Sequence, residues 1–325
     1  MLLAERELVR LNGELKKARK AAFADGTRKN LHNQWKTFII FCMYFRFNCM
    51  PATAQTLALY AQFLARTFKS PQSIRNYLSG VKLMHILADV QCTDFNSVEL
   101  KLVVKGIARQ KMHTPNKALP MTPQLLLNIK AMLDTSQPYQ AVFWCLSVLA
   151  FFTMSRKSNL VPNSISTFDH RKQWLRKDLL LKDDCMIIRV KWSKTNQFSD
   201  RALYIPLVAM PESQLCPVAA YINMVNIVPP NGDKNQPAFC VIKSEKVVAF
   251  TYIQLHKMLR ECIKRLGLDP MAYSSHSYRR GGATTAFRAQ VPGELIQLQG
   301  DWASDAYKQY LQFSIKDRAF VASKL

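Results

Sequence analysis

Two residues near the C-terminus, His276 and Arg279, carry side chains that can together bind an anion and move a proton. They are three positions apart, so in a helix both face the same side. The guanidinium of arginine stays charged at any working pH and donates two parallel hydrogen bonds to the oxygens of a phosphate. The imidazole of histidine acts as an acid or a base near neutral pH. The pair therefore predicts a site for oxyanion chemistry, although an isolated histidine could also simply begin a helix.

The charge of the chain favours nucleic acid as the source of that anion. The 325 residues include 45 Lys and Arg against 22 Asp and Glu, a formal charge of +23 at pH 7 with a pI near 9.8. Residues 1–117 hold 19 Lys and Arg against 7 Asp and Glu, and residues 118–325 hold 26 against 15. Two separately basic halves suit a clamp on a duplex, because phosphates can then be contacted on opposite sides.

Four more residues that could take part in this chemistry lie before and after the pair in the sequence. Trp302 lies 26 residues after the histidine, and Tyr310 lies 8 residues further on. Upstream, Arg156 follows an apolar stretch and Lys194 lies in a polar turn. Each alone has an ordinary explanation: a surface cation near a helix end, a solvated lysine, a core aromatic. Their occurrence in one order argues against four independent coincidences.

In this order and spacing the residues resemble the signature of the tyrosine recombinases, the phage-integrase family. The similarity covers roughly residues 27–320 and rests on the segments 153–160, 192–195, 275–284 and 300–311. The segments around Arg156 and Asp301 look most like the recombinases of eukaryotic mobile elements of the Crypton and DIRS kinds. The resemblance implies a mainly α-helical, two-domain fold with a small β-sheet or hairpin: a helical N-terminal core-binding domain, then an α+β catalytic domain.

The resemblance also implies a reaction, the cleavage and rejoining of DNA through a 3′-phosphotyrosyl intermediate. Two arginines would hold the phosphate, the histidine and the lysine would transfer protons, the tryptophan would offer an indole N–H, and the tyrosine would be the nucleophile. The implied catalytic residues are Arg156, Lys194, His276, Arg279, Trp302 and Tyr310. Because the phosphotyrosyl bond conserves the energy of the broken linkage, no ATP, metal or other cofactor is expected.

Partners and location follow from the same resemblance. We expect double-stranded DNA and further copies of the chain, as a homotetramer on DNA, and neither a membrane nor a small-molecule substrate. A chain from a eukaryotic mobile element would act in the nucleus, and otherwise in the cytoplasm or nucleoid. A recombinase-derived DNA-binding protein without cleavage activity is the alternative, and a type IB topoisomerase, which shares the chemistry, is a third.

Three positions leave alternatives open within this interpretation. Tyr307 lies one turn before Tyr310 on a similar face, and the choice of Tyr310 rests on its distance from the tryptophan. Lys191 competes with Lys194 for the role of the hairpin lysine. Asn159 stands where many prokaryotic members have a Glu or Asp that supports the first arginine, so the support for that arginine is an open question.

The elements that must position these residues are mostly helical. We predict a basic N-terminal arm at 1–26, a helical DNA-binding domain at 27–108, a linker at 109–121 and a catalytic domain at 122–325. Trp35, Phe38, Ile39, Cys42 and Phe45 form one apolar stripe at helical spacing. The runs 186–190 and 202–206 predict a β-hairpin around a polar turn, and the last predicted helix covers 304–313.

The cysteines and the longest apolar stretch exclude other classes of protein. Eight cysteines are scattered without a Cys-x-x-Cys pair, which is typical of reduced core thiols, and no His/Cys spacing suggests a structural zinc. The apolar stretch 141–154 is shorter than the ~20 residues that a membrane span needs. It is therefore expected to be a buried helix.

Overall fold

The computed structural model describes residues 2–91, 93–197 and 201–313, together with 315, 319 and 323. The chain folds as two compact units, Met1–Asn116 and Lys117–Leu325. In its described part the first unit contains five α-helices: α1 (Leu2–Ala21), α2 (Asp25–Phe45), α3 (Ala54–Thr67), α4 (Pro71–Leu87) and α5 (Val98–Lys111). Helix α5 thus continues into the segment 109–121 that the sequence predicts as a linker.

The core of the first unit is built by α2 to α5. Phe38, Cys42, Tyr60 and Val81 are buried there, because these helices place apolar residues at three- and four-residue steps. Of the predicted stripe on α2, Phe45 is instead exposed at its end. The described residues of α1 are exposed along the helix, which is the basic segment expected as an arm.

The second unit combines helices with two small antiparallel sheets. Its helices are α6 (Pro123–Ala131), α7 (Pro138–Phe152), α8 (Lys157–Leu160), α9 (Pro217–Ile227), α10 (Tyr252–Arg265), α11 (Ser275–Arg288) and α12 (Gly293–Gln299). The strands β1 (Leu179–Leu181), β2 (Cys185–Val190) and β3 (Leu203–Val208) form one sheet in the order β1-β2-β3, and β4 (Cys240–Lys243) pairs with β5 (Lys246–Ala249). The predicted fold class, mainly α-helical with a small sheet, is confirmed.

The predicted β-hairpin is present, with Ile188 of β2 opposite Ile205 of β3. Strand β1 and the β4–β5 hairpin were not predicted. The turn between β4 and β5 has Ser244 and Glu245 at φ 47° and 62°, the left-handed pair typical of a tight hairpin turn, without the Gly or Asn that usually signals it. The apolar stretch 141–154 is the buried helix that was expected, and no helix in the described residues is long and apolar enough to span a bilayer.

Segment 119–121, the end of the predicted linker, belongs to the second unit. The backbone N–H of Leu119 donates to the carbonyl of Ala272, and that of Met121 donates to the carbonyl of Ser277. The side chain of Met121 is fully buried, so the expectation that this segment has little to bury was wrong at its end. Its apolar side chain fills the space beside the start of α11.

Two adjacent glycines allow α11 to approach its neighbours closely. A Cβ at Gly281 would lie 1.8 Å from the carbonyl oxygen of Met121, and a Cβ at Gly282 would lie 2.2 Å from that of Phe151. Backbone oxygens cannot move away as a flexible side chain would. The glycine pair therefore brings α11 against the end of α7, immediately before Arg156.

We expect Gly282→Ala to destabilise the protein by roughly 1–3 kcal/mol, because the added methyl group forces α11 away from Phe151. Urea unfolding of the whole chain measures the change. The control is Gly106→Ala in α5, where no atom lies within 4 Å of the added Cβ and alanine favours the helix. Equal stability of Gly282→Ala and the parent would contradict the close approach.

Candidate active site

Arg279 lies at the centre of the site. It is in the second turn of α11, whose N-cap Ser274 accepts a hydrogen bond from the N–H of His276 and so fixes where the helix begins. The Arg279 side chain is almost fully buried. Its Nη1 donates to the carbonyl oxygens of Met154 and, at 2.7 Å, Gly300. The carbonyls on either side hold the guanidinium in one orientation.

Two donors of Arg279, Nε and Nη2, lack a hydrogen-bond partner among the described residues, although both atoms are buried. Burial, and then the charge of Arg156, lowers the pKa of Arg279 to about 9, which leaves the group cationic at neutral pH. A buried cation with two unpaired donors is costly unless an anion binds it. An oxyanion placed beside Nε and Nη2 would satisfy both donors.

Trp302 and Tyr310 form the aromatic walls around that guanidinium. Its central carbon lies 3.6 Å from the ring centroid of Trp302 and 5.3 Å from that of Tyr310, both within cation–π range. The two rings pack edge to face, 5.3 Å apart. The buried Nε1 of Trp302 also has no acceptor among the described residues. This indole N–H is the donor that the resemblance assigns to Trp302.

Arg156 enters the same site from the segment between α7 and α8. Its Nη1 donates to the carbonyl oxygen of Asp301 at 3.3 Å and lies 3.7 Å from the Oδ2 of that residue. Arg156 and Arg279 line one small cavity together with Asp301. The two arginines of the sequence motif, 123 positions apart, therefore converge in the fold.

His276 lies on the exposed side of the arginine cluster, with its ring centroid 6.4 Å from that of Tyr310. The side chain is in contact with solvent, but the protein atoms packed around the imidazole remove part of its hydration, and this lowers its pKa. The charges of Arg279, Lys157, Arg156 and Arg280 lower it further. A ring held neutral at pH 7 can accept a proton from a nearby phenol.

We expect the ring of His276 to titrate below its usual midpoint of about 6.5, and we expect Lys157→Gln to raise that midpoint. The midpoint should rise because a neighbouring cation disfavours the protonated ring, and removal of the lysine charge therefore makes protonation of the ring easier. Titration of the imidazole proton signals by NMR measures both values. Lys308→Gln, which changes a lysine outside the set that faces the ring, is the control and should leave the midpoint unchanged. An unshifted midpoint in Lys157→Gln would show that the charge of this lysine does not depress the pKa of the imidazole.

Tyr310 and Tyr307 have different surroundings. Tyr310 is half-buried at the end of a 3₁₀ helix (Asp305–Tyr310), and its ring centroid lies 5.9 Å from the guanidinium of Arg280. Tyr307 is buried, and a Cβ at Gly293 would lie 2.2 Å from its hydroxyl oxygen. The hydroxyl of Tyr307 therefore packs against α12, whereas Tyr310 is the tyrosine beside the cations.

The helix predicted for 304–313 is present only as the shorter 3₁₀ helix Asp305–Tyr310. The chain leaves the 3₁₀ helix after Tyr310 because Thr284 of α11 holds it there: the Thr284 hydroxyl donates to the Tyr310 carbonyl at 3.4 Å and accepts from the N–H of Gln312 at 3.2 Å. Leu311 is already extended. These bonds fix the backbone of Tyr310 to the helix that carries Arg279.

The structure does not bring the amine of Lys194 into the cluster. Lys194 lies in a tight turn between Ser193 and Asn196, and its side chain is exposed. None of the hydrogen bonds or ion pairs among the described residues involves its amine. Lys191, the competing lysine, is paired with the buried Asp178 at 2.6 Å. The turn places Lys194 beside the site, where its amine has no partner in the described part of the chain, whereas Lys191 has a structural partner.

Asp301 lies within one of the motif segments, but its residue type and position predict no role for it. Asp301 is buried and accepts hydrogen bonds from Ser193, Thr195 and Arg201 as well as from Arg156. Asn159, the departure from the family pattern, instead donates to the carbonyl of Trp192 at 2.5 Å. The carboxylate beside the first arginine thus comes from the segment that precedes Trp302.

No protein-family model matches the chain, but one curated protein is similar to it over most of its length. An integrase/recombinase XerD homologue of Selenomonas ruminantium is 21% identical over 292 residues, which cover 89% of this chain and 82% of the relative.

Solved structures of DNA-bound recombinases share the fold. The Tn1549 transposon integrase in complex with transposon right end DNA has a TM-score of 0.62 at 13% identity and covers 95% of this chain and 96% of its own. The XerH site-specific recombinase in a post-cleavage complex with difH has a TM-score of 0.56 at 16% identity, over 84% of this chain and 70% of its own. A lambda integrase dimer bound to a COC′ core site has a TM-score of 0.52 at 15% identity, over 95% and 94%. The fold of the chain is that of the two-domain tyrosine recombinases.

Proposed function

We propose that the chain is a site-specific tyrosine recombinase that cleaves and rejoins DNA through Tyr310. The observation that carries the proposal is the buried guanidinium of Arg279, which lies beside Arg156, His276 and a half-buried tyrosine. Two of its donors have no hydrogen-bond partner in the part of the chain that the structure describes. The fixed positive charges of such a site stabilise the transition state of phosphoryl transfer, in which the five-coordinate phosphorus carries extra negative charge. The basic charge of both halves of the chain supplies affinity for the DNA.

The residues can be assigned to a balanced reaction. The phenol oxygen of Tyr310 attacks the phosphorus, forms a new P–O bond and breaks the bond to the 5′ oxygen. The neutral imidazole of His276 accepts the phenol proton, and Lys194 donates a proton to the departing oxygen. Arg156 and Arg279 bind the non-bridging oxygens throughout. Attack by a 5′-hydroxyl on the phosphotyrosyl bond reverses these steps and rejoins the strand.

The proposed reaction also implies an assembly of several copies on DNA and a biological setting. Strand exchange between two duplexes requires cleavage of four strands, which four copies of the chain can perform if each cuts one. We therefore propose a homotetramer on DNA, acting in the integration or recombination of a mobile element. The similarity of the motifs around Arg156 and Asp301 to Crypton and DIRS recombinases supports a eukaryotic element and action in the nucleus.

The decisive experiment uses nicked suicide duplexes that carry the ends of the genetic element encoding the chain. Cleavage beside the nick releases a short fragment, which prevents rejoining and traps the protein on the DNA. A covalent adduct that survives denaturation is the expected result. Specific binding without an adduct at any site would favour the alternative, a DNA-binding protein without cleavage activity. Relaxation of supercoiled DNA without strand exchange would favour the topoisomerase.

A further inference from the structure

Asp301 connects parts of the site that lie far apart in the sequence. Its Oδ2 accepts hydrogen bonds from the hydroxyls of Ser193 and Thr195, the latter at 2.5 Å, and its Oδ1 lies 2.5 Å from the Nη2 of Arg201. Its backbone oxygen accepts from Thr195 at 3.1 Å and from Arg156 at 3.3 Å. One buried residue thus contacts both the first arginine and the turn that carries Lys194.

The turn itself depends on the hydroxyl that Asp301 holds. Ser193 Oγ accepts hydrogen bonds from the N–H groups of Thr195 at 3.1 Å and Asn196 at 3.0 Å, while it donates to the carboxylate. Lys194 lies between these hydrogen-bonded positions. The carboxylate therefore fixes the orientation of the hydroxyl, and the hydroxyl fixes the backbone on both sides of Lys194.

The residues next to Asp301 link the same segment to Arg279. The carbonyl of Gly300 accepts from Arg279, and the ring of Trp302 stacks on its guanidinium. Asp301 has a left-handed backbone, with φ of 51°, and its side chain meets the turn at 193–196. Residues 300–302 therefore contact the turn at 193–196 as well as both arginines, and so they fix the distance between the turn and the arginines.

We propose that Asp301 is a positioning residue for Lys194: its carboxylate holds the turn at 193–196 beside Arg156, so that the lysine amine meets the phosphate that the arginines bind. This inference rests on the proposed recombinase function. Lys194 is exposed and its amine has no partner among the described residues, so the backbone of the turn is what determines where the amine can reach. A misplacement of about 1 Å in such a group is enough to slow a reaction on the order of 10²-fold.

The test compares two suicide substrates, one with the natural 5′ oxygen at the scissile bond and one with sulfur in its place. A thiolate leaves without a proton, so the sulfur substrate does not need the acid. Asp301→Asn preserves the size of the side chain and tolerates the left-handed backbone while it removes the charge. We expect this variant to slow adduct formation on oxygen by on the order of 10²-fold and to react with the sulfur substrate at close to the parent rate. Lys194→Ala should show the same pattern.

Two further variants make the result specific. Ser193→Ala leaves the contact between Asp301 and Arg156 in place and should also be rescued by sulfur, because it loosens only the turn. Asp305→Asn is the matched control, since Asp305 is exposed and pairs with Lys308, and it should match the parent on both substrates.

The outcomes separate this inference from the function on which it rests. Equal slowing of Asp301→Asn on oxygen and sulfur would mean that Asp301 acts through the arginines or the fold, and would overturn the inference. Parent-like rates on oxygen would overturn it as well, as would a Lys194→Ala variant that sulfur does not rescue. If the parent protein forms no adduct on either substrate, the recombinase function itself fails.

Discussion

Tyr310→Phe should form no covalent adduct with a suicide duplex, whereas Tyr307→Phe should still form one. Phenylalanine keeps the ring that packs against Trp302 and Arg279 but lacks the phenol oxygen that the proposed reaction needs as its nucleophile. The measurement is the amount of protein that stays on labelled DNA after denaturation. Tyr307→Phe is the matched control because the hydroxyl of Tyr307 packs against Gly293, away from the cations.

DNA binding shows whether the Tyr310→Phe variant is intact. Because the change leaves every cation in place, the variant should bind the same duplex with the parent affinity. An adduct that persists in Tyr310→Phe and disappears in Tyr307→Phe would assign the nucleophile to Tyr307. Loss in both variants, with binding retained, would mean that Tyr307 supports the geometry of the site.

Arg279→Lys should lower the rate of cleavage by about 10²- to 10³-fold. Lysine keeps a positive charge, but it cannot donate from the Nη1 position to Met154 and Gly300 while also offering Nε and Nη2 to a phosphate. Single-turnover cleavage of the suicide duplex at saturating protein measures the loss. Binding should change much less, because affinity for DNA is spread over many cations of both halves of the chain.

The control for this substitution lies on another helix. Arg265→Lys makes the same chemical change at the exposed end of α10, and it should leave the cleavage rate unchanged. A parent-like rate in Arg279→Lys would show that charge alone is sufficient at this position. In that case the two unpaired donors of Arg279 would not mark the phosphate site.

The parts of the site that could be predicted from the sequence are those governed by local spacing. His276 and Arg279 share a face because they lie on one helix, and the β2–β3 hairpin follows from alternating apolar runs around a polar turn. The relation between Tyr310 and Tyr307 required the fold, since it depends on Thr284 and Gly293, which lie on two other helices.

Asp301 shows why the rest could not be predicted. Its partner Ser193 is 108 positions away, and nothing in a local pattern of residues indicates that the two meet. The same holds for Asn159, which a family pattern marks as a departure but which the fold uses to hold Trp192. The turn at Ser244 and Glu245 was missed for a different reason, because its residue types do not carry the usual signal of a left-handed backbone.

The hydrogen bonds between Thr284 and the backbone at Tyr310 and Gln312 have a consequence for any assembly of several copies. They fix Tyr310 to the helix that carries Arg279 of the same chain. In the proposed recombinase, each copy would then place its own tyrosine beside its own arginines. Contacts between copies would act on the shape of each site, and in this way would determine which strands are cut at a given moment.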